Sequence, residues 1–190
     1  MKQTEAQTAV SSARRRVGSL TLCALMAAFL CILSPWAIPV GAIPISLSLF
    51  AVLLSGVLLG PWRGGAAVLV YLLVGSIGLP VFGGGAGGFS VLIGPTGGYL
   101  CAYPIAACLG GILWRLAPRN GRFAFWAFLA SLLPSVAVCH LLGVLWLSYV
   151  SQMPVKAAFL AGTLPFLPFD LIKCIAVALL APILKKRIRI

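Results

Sequence analysis

The chain has 190 residues, 62% hydrophobic and only 8% charged, with a mean hydropathy of +1.12. That composition excludes a water-soluble domain, whose surface needs far more charge, and indicates a polytopic membrane protein. At about 20 apolar residues per crossing, this length holds about six helices with short loops. The formal net charge of +12 does not point to nucleic acid, because the basic residues cluster beside apolar runs instead of interleaving with aromatics on a polar face. Cys23, Cys31, Cys101, Cys108, Cys139 and Cys174 all fall in apolar stretches, with no CxxC pair and no zinc-ligand spacing. They read as free, small apolar residues.

Residues 1–16 are polar, end in Arg14-Arg15-Arg16, and form an expected cytoplasmic tail. The apolar run from Val17 to about Ile38 is as long as a membrane span, and no small-x-small cleavage site closes it. It is read as a retained first helix rather than a signal peptide. Within it, Ala24-x-x-x-Ala28 places two small side chains one turn apart, which allows another helix to approach closely. Pro35, Pro39, Gly41 and Pro44 then break the helix, giving a first loop over residues 38–46. A short second span is expected over Leu47–Leu59, ended by the turn Gly60-Pro61-Trp62-Arg63-Gly64-Gly65. Because it is short, it either borrows part of the loop or sits beside a cavity. A third span covers Ala66–Leu79.

The stretch Gly78-Leu79-Pro80-Val81-Phe82-Gly83-Gly84-Gly85-Ala86-Gly87-Gly88-Phe89 follows. Its glycines allow the backbone to bend freely and to approach a ligand. No Gly-Lys-Ser/Thr follows it, so it is not a nucleotide loop, and any ATP-driven step must belong to a partner. Gly94-Pro95-Thr96-Gly97-Gly98-Tyr99 opens a fourth span that ends near Trp114-Arg115. A turn at Pro118-Arg119-Asn120-Gly121 leads to a fifth span over Phe123–Val150, with Pro134 as a kink site. This span carries His140, for which packing or a hydrogen bond to a carbonyl is expected, since its own helix offers no second ionisable group for a proton relay. After a loop at Ser151–Lys156, a sixth span runs from Ala157 to Leu184, and residues 185–190 form a basic tail.

Six spans place Lys2, Arg14, Arg15, Arg16, Arg63, Arg115, Arg119, Arg122, Lys185, Lys186, Arg187 and Arg189 on one side. The opposite side has only Lys156, and Lys173 lies within a helix. The positive-inside rule makes the basic side cytoplasmic, with both termini there. The first loop, the glycine-rich loop and the 151–156 loop then face outward. Asp170 is the only carboxylate beyond the N-terminal tail. Lys173 follows three residues later, on the same helical face. An ionisable pair inside hydrocarbon costs several kcal/mol and faces either a cavity or a partner. The spacing alone leaves two readings open, a self-neutralising packing pair and a polar anchor for a small solute.

Several stretches together resemble the BioY family, the biotin-binding substrate-specific components of energy-coupling-factor vitamin importers. The most specific are Gly78-Leu79-Pro80-Val81-Phe82 through Gly94-Pro95-Thr96-Gly97-Gly98-Tyr99. Pro165-Phe166-Leu167-Pro168 with Asp170-Leu171-Ile172-Lys173, and Leu58-Leu59-Gly60-Pro61, add to them. The likeness covers about Arg14 to the end. It implies an all-α fold of six transmembrane helices in a bacterial cytoplasmic membrane, with the vitamin bound near the outer face under the first and third loops. It also implies a transmembrane coupling subunit with two ATPases as partners, contacted through Ala24 and Ala28, and no cofactor on this chain itself. Two positions depart from the family pattern. Members usually have Pro-x-Thr-Leu-Gln-Thr where this chain reads Pro44-Ile45-Ser46-Leu47-Ser48, and glycine where it has Phe169.

The chemistry of biotin suits these residues. Asp170 can accept from the ureido N–H groups, and Lys173 can donate to the ureido carbonyl. Phe82, Phe89 and Phe169 are the expected apolar walls, while Ser46, Ser48, Thr96 or loop N–H groups would meet the ligand carboxylate. Gly85 and Tyr99 complete the substrate-binding candidates. Three rivals remain at this stage. One is a component of the same architecture for another vitamin or heterocycle. The second is a membrane-embedded enzyme, for which no nucleophile–base pair or metal cluster appears. The third is a passive channel, for which a polar stripe is missing.

Overall fold

The protein was analysed as a computed structural model that describes residues 2–40, 43–118 and 122–188, with backbone alone for residues 2–16, 39, 40, 43 and 188. Gly41, the Arg119–Gly121 part of the expected turn, and Arg189–Ile190 lie outside the described residues. The element order is α1 (Lys2–Leu33), β1 (Ala37–Val40), β2 (Ile43–Ser46), α2 (Ser48–Leu59), α3 (Pro61–Ser76), a 3-10 turn (Gly83–Gly85), α4 (Phe89–Ile93), α5 (Gly97–Leu116), α6 (Ala124–Val150), α7 (Val155–Gly162) and α8 (Leu167–Ile188). The fold is that of a helical membrane protein. The helices α5 and α6, and Leu167–Arg187 of α8, are long and apolar enough to cross a bilayer, and Val17–Leu33 and α2 are shorter apolar helices.

Four expectations need correction. The first loop is an antiparallel hairpin, with Ala37 opposite Ser46 and Pro39 opposite Pro44. The Ile and Val residues around the prolines suit strands. Leu47 N–H donates to Trp36 O at 3.3 Å. Alternation from that bonded pair puts Pro39 and Pro44 at a pair that needs no N–H, so the two prolines cost the ladder nothing. The 60–65 turn shrinks to Gly60, whose φ of 86° lets α2 turn directly into α3, with Pro61 in the first turn of the new helix. The glycine-rich segment is not plain loop, since it holds the 3-10 turn and α4. The sixth span is broken into α7 and α8 by Thr163–Phe166, where Pro165 removes one backbone donor.

The short second span has a physical explanation. At 12 residues, α2 extends about 18 Å, well short of the roughly 30 Å hydrocarbon core. It is buried at every position except Phe50, so it is a central helix enclosed by others and not one facing lipid. Small residues make that enclosure possible. A Cβ at Gly56 would overlap the Ala107 carbonyl of α5, and one at Gly111 would crowd Gly56 and Pro61. Helices in a membrane associate through such close backbone approach. At the far end of the bundle Trp114 stacks on Phe128 with centroids 4.2 Å apart, and Lys185 lies over the Trp114 ring. The chain runs unbroken as helix through Pro134.

Candidate functional site

A cavity of about 210 Å³ lies where the hairpin, the glycine-rich segment and the N-terminal parts of α2, α5 and α8 meet the middle of α6. This is where α2 starts, so the short second span does sit beside a cavity. Of the residues expected there, Ser46, Ser48, Phe82, Thr96, Tyr99, Asp170 and Lys173 all line it.

Asp170 and Lys173 form its charged part. Both are buried, at 3% and 8% exposure, and Lys173 Nζ donates to Asp170 Oδ1 at 2.7 Å. The break before α8 sets this geometry. Phe166 N–H bonds to Thr163 O, and Asp170 N–H to Phe166 O, so helical winding is re-established just ahead of the acid. The other carboxylate oxygen, Oδ2, is 2.7 Å from His140 Nε2, and His140 Nδ1 is 3.2 Å from Thr163 Oγ1. His140 therefore does not pack passively or bond a carbonyl. Its partner comes from α8, a helix its own sequence neighbourhood gave no hint of.

The walls differ from expectation in detail. Phe82 lines the cavity, held edge-on to Tyr71 with centroids 5.5 Å apart, and a Cβ at Gly75 would overlap its ring. The glycine turn fixes Phe82 at both ends: its N–H bonds to Ala86 O, and its carbonyl accepts from Gly85 N–H. Gly84 and Gly85 have φ of 74° and 75°, values that suit glycine and few other residues. Gly85 itself is exposed and does not face the cavity. Phe89 and Phe169 are 66% and 42% exposed and are not walls. Phe169 fails for a geometric reason, because the residue before Asp170 is turned about 100° round the helix. Phe166, one turn earlier, shares the face of Asp170 and lines the cavity instead.

On α5, Tyr99 and Tyr103 share a face by the same spacing, and both line the cavity. Tyr99 is pinned by its hydroxyl, which donates to Gly162 O at 2.8 Å. Its ring meets His140 edge-on at 5.9 Å over the space left by Gly143, where a Cβ would overlap it. At the hairpin end, the Ser46 and Ser48 hydroxyls are 2.7 Å apart, and Ser48 N–H donates to Ser46 Oγ. Sequence reasoning did not name Tyr103, Cys139, His140 or Phe166 as lining residues. Chemically, the cavity offers an acceptor and a donor side by side among aromatic faces. Such a site suits a compact heterocycle with adjacent N–H and carbonyl groups.

The small-residue pair of α1 is elsewhere. Ala24 and Ala28 lie on its exposed face, whereas Ala27 and Leu30 point inward.

Comparison with known proteins agrees with this geometry. The sequence matches the model of the BioY family over residues 2–190. The chain belongs to the BioY family. Among its relatives, the biotin transporter BioY of Thermotoga maritima is 40% identical over 158 residues, spanning 83% of this chain and 90% of that protein. The biotin transporter BioY2 of Lactococcus lactis is 39% identical over 161 residues, covering 85% of this chain and 86% of the relative. In structure, the BioY fold described here resembles the crystallised S-component for biotin of an ECF-type ABC transporter. The TM-score is 0.82 and the identity 34%, over 91% of this chain and 93% of the other.

Proposed function

We propose that this BioY chain is a biotin-binding, substrate-specific component of an ATP-driven vitamin importer, and not an enzyme. The observation that carries the reading is the buried Asp170–Lys173 pair lining a cavity in a chain whose relatives are named biotin transporters. The carboxylate accepts from the ureido N–H groups and the ammonium donates to the ureido carbonyl. Hydrogen bonds to charged groups contribute about 1.5–3 kcal/mol each. Phe82 and Phe166 cover the fused rings, and Ser46, Ser48 and Thr96 stand at the other polar surface, where the ligand carboxylate is met.

The topology that fits is six crossings, formed by α1, α2, α3, α5, α6 and the interrupted pair α7–α8, with both termini in the cytoplasm of a bacterial cell. Residues 1–16 and 185–190 then flank a membrane domain over 17–184. The outer surface carries the hairpin and the glycine-rich segment as covers. The exposed Ala24 and Ala28 give a coupling subunit a flat surface, and that subunit's two ATPases use the ATP. No cofactor is assigned to this chain.

Equilibrium binding of labelled biotin to the purified, detergent-solubilised protein tests the proposal, with other vitamins as competitors. Saturable binding displaced by unlabelled biotin alone is the expected result. Preferential displacement by a different vitamin would assign the site to that ligand, and no binding at all would overturn the reading.

A further inference from the structure

The histidine beside the charged pair belongs to a longer chain of contacts. Thr163, at the break between α7 and α8, is 3.2 Å from His140 Nδ1; His140 Nε2 is 2.7 Å from Asp170 Oδ2; and Lys173 Nζ is 2.7 Å from Asp170 Oδ1. All four residues are buried, none more than 8% exposed. Lys173 already balances Asp170, and the only other acid in the chain is Glu5, in the polar tail. A carboxylate oxygen can only accept, so the ring nitrogen that faces it, Nε2, carries a proton, and Nδ1 is placed to accept from the Thr163 hydroxyl.

We propose that His140, oriented by Thr163, is a positioning residue for the ligand. Its Nε2–H occupies one lone pair of Asp170 Oδ2, while Lys173 occupies one of Oδ1. The carboxylate is clamped from two helices, and its remaining lone pairs belong to a group that lines the cavity. A carboxylate has about four acceptor sites, and the clamp uses two. Thr163 contributes at one remove, by selecting the ring tautomer that can donate. His140 also has a second face. Its imidazole lines the ligand cavity and also an apolar groove of about 450 Å³ bounded by α6, α7 and the start of α8, so it is part of the wall between the two.

This inference rests on the reading of Asp170 as a ligand contact. Its test uses the wild-type chain with a histidine-free tag, His140→Leu, His140→Gln and Thr163→Val, all in detergent. His140 is the single histidine, so the nitrogen-15 spectrum contains one imidazole. The wild type should show the Nε2–H tautomer, with shifts that move on saturation with biotin. Thr163→Val should give a mixed tautomer population and a several-fold loss of biotin affinity. His140→Leu should lose about tenfold or more, the loss of one hydrogen bond to a charged group, and His140→Gln should recover part of it. An Nδ1–H tautomer in the wild type, or a spectrum indifferent to biotin, would overturn the proposal even if His140→Leu does not fold. So would wild-type affinity in Thr163→Val together with an unchanged tautomer. A wild-type chain that binds no biotin would instead overturn the reading of the site itself.

Discussion

Replacing Asp170 separates a structural pair from a ligand anchor. In Asp170→Asn the amide oxygen can still accept from His140, which turns the new N–H₂ group toward Lys173 Nζ, where the wild type has a 2.7 Å ion pair. Two donors then face each other, with Lys173 only 8% exposed. Stranding a buried charge in this way costs about 3–5 kcal/mol. The double variant Asp170→Asn/Lys173→Met removes the stranded ammonium, and deleting a buried pair whole is often neutral, so most of the lost stability should return. Ligand binding should not return with it. Losing two charge-assisted contacts of about 1.5–3 kcal/mol each predicts a fall in biotin affinity of about a hundredfold or more. Thermal unfolding and biotin titration calorimetry, run on the same detergent preparations, report the two quantities separately. A well-folded double variant with wild-type affinity would show that the pair only holds α8 in place and that the ligand is anchored elsewhere.

Three further outcomes are expected. Gly75→Ala should drive the Phe82 ring off the cavity wall, because the new methyl overlaps it. A destabilisation of about 1–3 kcal/mol is expected, seen in thermal unfolding and accompanied by weaker biotin binding; unchanged affinity would remove Phe82 from the site. Ala24→Phe should abolish energised uptake in cells containing the coupling module while leaving biotin binding by the isolated protein intact, since Ala24 is exposed on α1. Loss of binding as well would mean that the residue supports the fold. In a cysteine-free background, single cysteines at positions 40 and 153 should react with an impermeant reagent from outside, and those at 62 and 120 only from the cytoplasm. Outside labelling at 120 would break the six-crossing topology.

Much of the site was legible because the chain is poor in charge. With one carboxylate beyond the tail, Asp170 and Lys173 stand out as the ionisable residues that must face a cavity or a partner, and both line the cavity. What the sequence hid were relations between distant segments. His140 has no ionisable partner on its own helix, and its bond runs to α8, 30 residues away. The isolation of both residues was the available signal. A lone histidine and a lone acid in separate apolar spans have few partners except each other. The hairpin was obscured by Pro39 and Pro44, which read as loop until the register placed them opposite one another. Phe89 and Phe169 adjoin the candidate stretches in sequence but are exposed, and helical phase brings Phe166 to the cavity instead. The break at Thr163–Phe166 is marked in the sequence by Gly162, Pro165 and Pro168, but the apolar residues between them keep the hydropathy of one continuous span.

That break also has an electrostatic consequence. Had α7 and α8 been one rod, Asp170 would lie in mid-helix, where the peptide dipoles on either side offset one another. The interruption instead leaves it in the first turn of α8. There the aligned dipoles of a 22-residue helix present a partial positive charge. An anion beside a helix N-terminus gains about 0.3–1 kcal/mol, and up to about 2 when partly buried. The turns that follow carry the basic end, with Lys185, Lys186 and Arg187 in the last turn of the same helix, the sign that a helix C-terminus favours. One helix is thus polarised along its length, acid at the cavity end and bases at the other. The negative charge at the cavity is supported in part by the backbone that carries it.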